Sequence, residues 1–324
     1  MPHRALTISL ITAALLTGAV VVWRSTPQTP QAQEASHTSI TNIQRPPQTQ
    51  LTNNTTSTLL TAIPTAPFIE PTDLEAAFLI AASTTRVTIP NTERPIAGLV
   101  NHHSLASPLI ARFALDLHAA LPNLEEVVIL SPDHFSDGPG LSTQDHPYLV
   151  PNGQVEIDTN AVSDLIQRGV ASYSPDLFKN EHGIGAVLPF IAHEYPTIRL
   201  LPLALRMNRP DAALTLKTAL RDALDRPNTF VIISADMSHY LNGEAASAHD
   251  TQTLAWLTSC NEHDLWNATD DHLDSGRSVS TLCTVMRERK LAPTFRVTAH
   301  DLSTNYGGDP KSTTSYLTGF WTTR

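Results

Sequence analysis

Short apolar runs punctuate the chain and are separated by longer amphipathic stretches. Residues 96–100, 127–130 and 230–234 are brief, rich in Val, Ile and Leu, and read as buried strands. Residues 198–205 read the same way, with Pro202 pointing to an edge or a bulge because proline donates no ladder hydrogen bond. An apolar helical period runs through 74–82, 107–121, 158–168, 183–194, 211–224, 244–259 and 276–290. Pro108 suits a first helical turn, and Gly169 suits a helix stop. Residues 295–299 and 315–321 read as late strands. Strands alternating with helices predict an α/β fold. The expected form is a single three-layer domain over 72–324, with a mostly parallel central sheet, a mixed edge and flanking helices.

The N-terminal end follows a different pattern. Residues 5–23 carry no charge, with Arg4 before them and Arg24 after. At 1.5 Å per residue such a helix is about 28 Å long, close to one hydrocarbon core. The apolar run exceeds that of an ordinary signal peptide, and no small-x-small cleavage site follows Trp23. An uncleaved signal anchor over 1–24 is therefore expected, in preference to a cleaved signal. Residues 25–71 form a Thr/Gln/Pro-rich tract, in which Glu34 and Arg45 are the only charges before residue 67. Such a tract buries too little apolar surface to offset its ordering entropy, so it reads as a disordered linker. With one basic residue it suits the outer side of the cell membrane, which predicts a single-pass protein with an extracytoplasmic domain.

The 324 residues carry a net charge of −10, from 21 basic and 31 acidic side chains. That balance argues against nucleic acid as a ligand, because phosphate binding needs a basic face. Cys260 and Cys283 are the only cysteines, too few for a disulfide scaffold or a Cys-rich zinc module. Each reads as an isolated apolar filler. No phosphate loop, nucleophile elbow, CxxC or HExxH is present, and Gly183-Ile184-Gly185 follows no strand, so it is no dinucleotide fingerprint.

Histidine is the outlier, with 14 copies. Three apolar strands each deliver one at the C-terminal end: Asn101-His102-His103, Ser131-Pro132-Asp133-His134, and Ala235-Asp236-Met237-Ser238-His239-Tyr240. That edge of an open α/β sheet is where ligands bind. Histidines gathered there suit a transition metal or acid–base chemistry. Asn180-Glu181-His182-Gly183 could face the same edge. Each residue alone has a plainer reading. A lone loop histidine is more often a surface residue, and Asp133 and Asp236 suit turns or caps. His103 faces away from His102 if the strand continues. His118, His193, His263 and His272 read as surface or helix residues, and His249-Asp250 as structural. The repetition at three strands carries the site reading for His102, His134 and His239 together.

These blocks resemble the Memo family, also called AmmeMemoRadiSam system protein B. That family shows Pro-His-Ala-Gly, Gly-Pro-Asn-His, Glu-His-Ser-Leu-Glu and Ser-Asp-Phe-Ser-His-Tyr. The counterparts here are Asn101-His102-His103-Ser104, Ser131-Pro132-Asp133-His134, Glu181-His182-Gly183-Ile184 and Ala235 to Tyr240. The likeness covers residues 94–321. It implies a fold like that of class III extradiol ring-cleaving dioxygenases and a metal site using His102 and His134, with His239 close by. One departure concerns a third ligand, which animal members supply as a cysteine near the C-terminus. The corresponding stretch here, residues 302–309, has none, and Asn305 and Asp309 are its nearest polar candidates.

Two classes of function fit. In the first, the domain is a metal-dependent, dioxygenase-like oxidoreductase. His102 and His134 bind iron or copper, with zinc also admissible, and water or Glu181 completes the shell. His239 acts as general base, oriented by Asp236, with Glu181 and His182 bordering the same cleft. A metal acting only as a Lewis acid would support hydrolysis with the same residues. In the second, the domain is a non-catalytic module tethered to the membrane that binds a small molecule or peptide in the histidine cleft.

Overall fold

The computed structural model describes residues 60–85 and 87–324. The expected anchor over 5–23 and most of the expected linker lie outside these residues. Among the described residues, no helix is long and apolar enough to cross a membrane.

The described strands are β1 (Ile63–Pro64), β2 (Arg94–Val100), β3 (Glu126–Pro132), β4 (Leu141–Thr143), β5 (Tyr148–Val150), β6 (Gly153–Ile157), β7 (Ser172–Tyr173), β8 (Arg199–Leu205), β9 (Thr229–Ser234), β10 (Thr294–Leu302) and β11 (Ser315–Thr323). The helices are α1 (Pro71–Ser83), α2 (Ser107–Ala120), α3 (Thr159–Gln167), α4 (His182–Gly185), α5 (Leu188–Glu194), α6 (Ala212–Asp225), α7 (Gly243–Ser259), α8 (Glu262–Trp266) and α9 (Gly276–Glu288).

One mixed sheet runs β1-β5-β6-β8-β3-β9-β2-β11-β10, with β4 beside β8 and β7 beside β4. Its centre, β6-β8-β3-β9-β2, is parallel. Antiparallel pairs close both flanks, β11 on β2 at one side and β5 on β6 at the other. The β2–α2–β3 crossover runs one way along the sheet and β8–α6–β9 runs the other. Right-handed crossovers then place α2 and α6 on opposite faces, which gives the three layers. Central strand β3 is buried along its whole length, as its continuous apolar run requires.

Register explains why three loops meet. Val100 lies beside Ser234, and Leu130 beside Ile233, so β2, β9 and β3 end at one level. The histidines that follow them are thereby delivered to one edge.

Several expectations change. Pro202 is not on an edge strand, because β8 is flanked on both sides. β6 pairs with Arg199 and Leu200, and β4 with Ala204 and Leu205, which leaves Pro202 at the handover between them. The Pro202 carbonyl accepts from Thr143 Oγ1 on that side, so the absent N–H faces the gap and no ladder bond is lost. The helix expected over 183–194 is two helices, α4 and α5, with Pro189 in the first turn of the second. The short strands β4 to β7 carry too few residues for a periodic signal. Residues 60–71 belong to the fold rather than to a linker: Ile63 and Pro64 pair with Tyr148 and Leu149, and Thr65 is buried. Cys260 and Cys283 are not isolated fillers; they form a disulfide between the end of α7 and the middle of α9.

Candidate metal centre

The three strand-end loops, the 180–182 turn and the segment before α9 line an open cleft of about 900 Å³. His102, His134, His182, Asp236, His239 and Asp274 all border it. His102 is buried at its base, 3% exposed.

Each of the two central imidazoles is held from behind. Ser234 Oγ donates its single hydrogen to the Gly183 carbonyl at 2.7 Å. It can therefore only accept from His102 Nδ1, 3.0 Å away. That places the hydrogen on Nδ1 and leaves Nε2 of His102 as a lone pair. His134 Nδ1 lies 2.7 Å from Glu181 Oε1, so it too carries the hydrogen, and its Nε2 is free. The two Nε2 atoms face each other at 3.2 Å. Asp274 Oδ2 joins them, 3.3 Å from His102 Nε2 and 3.9 Å from His134 Nε2. Three electron-pair donors thus converge with no hydrogen of their own between them. Such a cluster needs a cation, either a proton or a metal ion. Metal–ligand bonds of 2.0–2.2 Å in a tetrahedron set donor–donor edges of about 3.3–3.6 Å, close to the 3.2 and 3.3 Å found at His102 Nε2 and shorter than the 3.9 Å between His134 and Asp274.

The charges report the same demand. Burial alone would lower the His102 pKa, but the carboxylates of Asp236 and Asp274 outweigh it and raise it. Burial also opposes charge on His134, yet hydrogen bonds and charge from Asp274 and Glu181 push it up to about 10. Glu181 would be raised by burial, but its bonds to His134 and to backbone N–H groups hold it down to about 2. Asp274, buried beside His102, is likewise held below the usual carboxylate range.

His182 completes the group. One donor atom from each of His102, His134 and His182 lies within 4.8 Å of the others. Its ring stacks on His134 with centroids 3.8 Å apart. Burial first, then the neighbouring histidines, pull its pKa down to about 4, so it stays neutral and able to donate a lone pair. These three histidines could hold a metal ion.

The 180–183 turn reaches this position only because residue 183 is glycine. A Cβ there would sit 2.1 Å from Ser131 Oγ. Two residues on, a Cβ on Gly185 would sit 2.2 Å from the Ala66 carbonyl. The Gly-Ile-Gly run is therefore a close-packing feature.

The chain matches the sequence profile of the family described as Memo-like protein over residues 76–320, most of its length. It belongs to the Memo-like family. Among curated relatives, a MEMO1 family protein of Methanopyrus kandleri is 31% identical over 181 residues, 54% of this chain and 62% of its own. One of Methanocaldococcus jannaschii is 26% identical over 185 residues, 54% of this chain and 64% of its own. The chain thus spans just under two thirds of the length of these relatives. An uncharacterized protein of Escherichia coli K12 superposes with a TM-score of 0.49 at 14% identity, over 70% of this chain and 99% of its own.

Other sequence-selected residues of the Memo-like domain take definite places. Asp236 does not hydrogen-bond His239: Nε2 of His239 and Oδ2 of Asp236 are 3.9 Å apart. Its Oδ1 instead accepts from the His102 backbone N–H at 3.0 Å. His239 is fixed by the Asp270 carbonyl, which lies 2.9 Å from its backbone N and 3.2 Å from its Nδ1. A hydrogen on Nδ1 leaves Nε2 of His239 free at the cleft wall. Glu181 does not aim at the shared donor cluster; it lies behind His134 and also accepts from Ser131 Oγ and Gly183 N–H. Asp133 is a turn residue, accepting from the Asp137 and Gly138 N–H groups. His103 turns to Tyr316, its Nδ1 2.6 Å from the phenol oxygen. Asn305 pairs with Asp301, and Asp309 accepts from Lys311 N–H, so neither reaches the cluster. Asp274, which sequence reasoning missed, is the carboxylate that stands beside the cluster, its Oδ2 3.3 Å from His102 Nε2. Its only signal was the density of acidic residues in Asp270-Asp271-His272-Leu273-Asp274, just before a helix.

Proposed function

We propose that this Memo-like domain is a metal-dependent oxidoreductase with a dioxygenase-like site. The observation that supports it is the convergence of His102 Nε2, His134 Nε2 and Asp274 Oδ2, without intervening hydrogens, at the base of an open cleft. Two imidazoles and one carboxylate are the donor set of non-haem iron sites with open positions, and copper also accepts imidazole. Iron or copper held there would supply the redox chemistry. The chain's own groups would do the rest. Ser234 and Glu181 fix the tautomers of His102 and His134. His239, with Nδ1 tied to the Asp270 carbonyl, presents Nε2 as the proton acceptor for a substrate in the cleft. Asp236 positions the His102 backbone. The exposed rings of Phe135 and Tyr240 at the cleft rim offer apolar area to a small organic substrate. Oxygen uptake and product analysis with the iron- or copper-loaded domain would test this. Products formed equally without oxygen would point to a hydrolase, and saturable binding without turnover to a binding module.

The anchor over 5–23 would place the domain outside the cytoplasmic membrane. The Cys260–Cys283 disulfide supports this, because such bonds persist in oxidising compartments. Membrane fractionation of the full-length protein tests it, with recovery in the soluble fraction and a new N-terminus near residue 30 as the contrary result.

A further inference from the structure

The cleft is one-sided in charge. The carboxylates of Asp133, Asp236, Asp270 and Asp274 border it, and among the described residues no lysine or arginine does. The two cations next to cleft residues in sequence are engaged elsewhere: Lys179 pairs with Asp176, and Arg206 bonds Asn208 and the Gly138 carbonyl. A cation at the base, proton or metal ion, is already matched. His102 Nε2 has Asp274 Oδ2 at 3.3 Å and Asp236 Oδ2 at 3.8 Å, and Glu181 stands 2.7 Å behind His134. The Asp274 side chain is 10% exposed, and its Oδ1 has no hydrogen-bond partner among the described residues. A concave site with carboxylate walls focuses its field on cations and repels anions.

One of the four carboxylates is open to a ligand. Asp133 is taken by the Asp137 and Gly138 N–H groups, Asp236 by the His102 N–H, and Asp274 lies against His102. Asp270 is exposed, and among the described residues its carboxylate makes no hydrogen bond or ion pair. Its backbone carbonyl, not its side chain, holds His239. Tyr240 borders the same cleft, 75% exposed, with its ring centroid 5.5 Å from that of His239. A free carboxylate and an exposed aromatic face are together the partners of an ammonium group. The first supplies a charge-assisted hydrogen bond and the second a cation–π contact.

We propose that the cleft selects ligands with a primary ammonium group on a small apolar body, with Asp270 as counter-ion and Tyr240 as aromatic wall. The inference rests on the reading of the cleft as the substrate site, and not on the reaction carried out there. It holds with or without a metal ion at the base.

The test is calorimetric titration of full-length, metal-free protein with 2-phenylethylamine, 2-phenylethanol and 3-phenylpropionate. The three share a phenyl ring and a two-carbon arm and differ in charge. The amine should bind about tenfold more tightly than the alcohol, with the carboxylate weakest. Added salt should narrow the gap. Asp270→Asn should remove most of the amine's advantage and leave the alcohol unchanged, and Asp270→Lys should put the carboxylate ahead of the amine. Tyr240→Leu should weaken the amine more than the alcohol. Equal native affinities for amine and carboxylate, an amine advantage undiminished in Asp270→Asn, or no binding of any probe at millimolar concentration would overturn the proposal. Charge selection that follows Asp270 in a protein without oxygen-dependent turnover would uphold it while refuting the oxidoreductase reading.

Discussion

Nε2 of His102 and Nε2 of His134 face each other at 3.2 Å, and the hydrogen-bond partners behind each ring leave both as lone pairs. With Asp274 Oδ2 3.3 Å from the first, the trio attracts a cation strongly. In the absence of metal, that cation is a proton.

A pH dependence follows. The His134 pKa is raised to about 10 in the folded, metal-free protein, from an ordinary value of 6.5. A group raised on folding contributes stability that is complete below its unfolded pKa and lost as pH rises through its folded one. Stripped protein should therefore lose thermal stability between about pH 6.5 and 10, and metal uptake near pH 7 should release protons. Melting curves with and without metal across that range would show the difference; flat metal-free curves would count against the assignment.

Asp274→Asn removes the oxygen donor that sequence reasoning overlooked. Metal affinity should fall by about 10- to 100-fold, with secondary structure retained. Calorimetric titration of the variant measures it, and unchanged affinity would show that Asp274 plays no part.

Gly183→Ala would drive a Cβ to 2.1 Å from Ser131 Oγ, at the junction of Glu181, Ser131 and Ser234. Overpacking of this kind costs about 1–3 kcal/mol. The variant should melt earlier and bind metal more weakly, because the groups that orient both imidazoles shift together.

His239→Gln should leave metal content unchanged and remove most turnover, since its free Nε2 faces the cleft while its backbone is held by Asp270. Loss of metal in this variant would make His239 a ligand instead of a base.

The disulfide joins residues 23 apart in sequence, and closing such a loop constrains the unfolded chain by about 3 kcal/mol. A reductant should lower the melting temperature of the native protein and leave Cys260→Ser/Cys283→Ser unaffected. Thiol labelling of freshly lysed cells should find both cysteines blocked if the domain is extracytoplasmic.

Much of this architecture was legible in the sequence because the central strands are continuous apolar runs, and their C-terminal ends bear histidine. Val127 to Leu130 and Phe230 to Ser234 announce buried strands, and level strand ends then bring His102, His134 and His239 to one cleft. The histidine convergence was visible; the oxygen donor was not. Asp274 sits in a segment with no periodicity, placed by α8 and α9 rather than by a strand. Pro202 misled because an edge assignment assumes that each strand has one neighbour per side; here two short strands share a flank of β8. The pairing of Cys260 with Cys283 depends on the end of α7 meeting the middle of α9, which only the tertiary fold provides.

The central claim is that His102 and His134 hold a metal ion. Protein carrying no metal-binding tag should be purified in parallel with His102→Ala and His134→Ala, and each assayed by elemental mass spectrometry. Iron or copper near stoichiometric in the native protein, reduced by one equivalent in either variant with melting behaviour preserved, is the result expected. Equal metal content in all three, or none taken up by the native protein even after incubation with iron and copper, would contradict it.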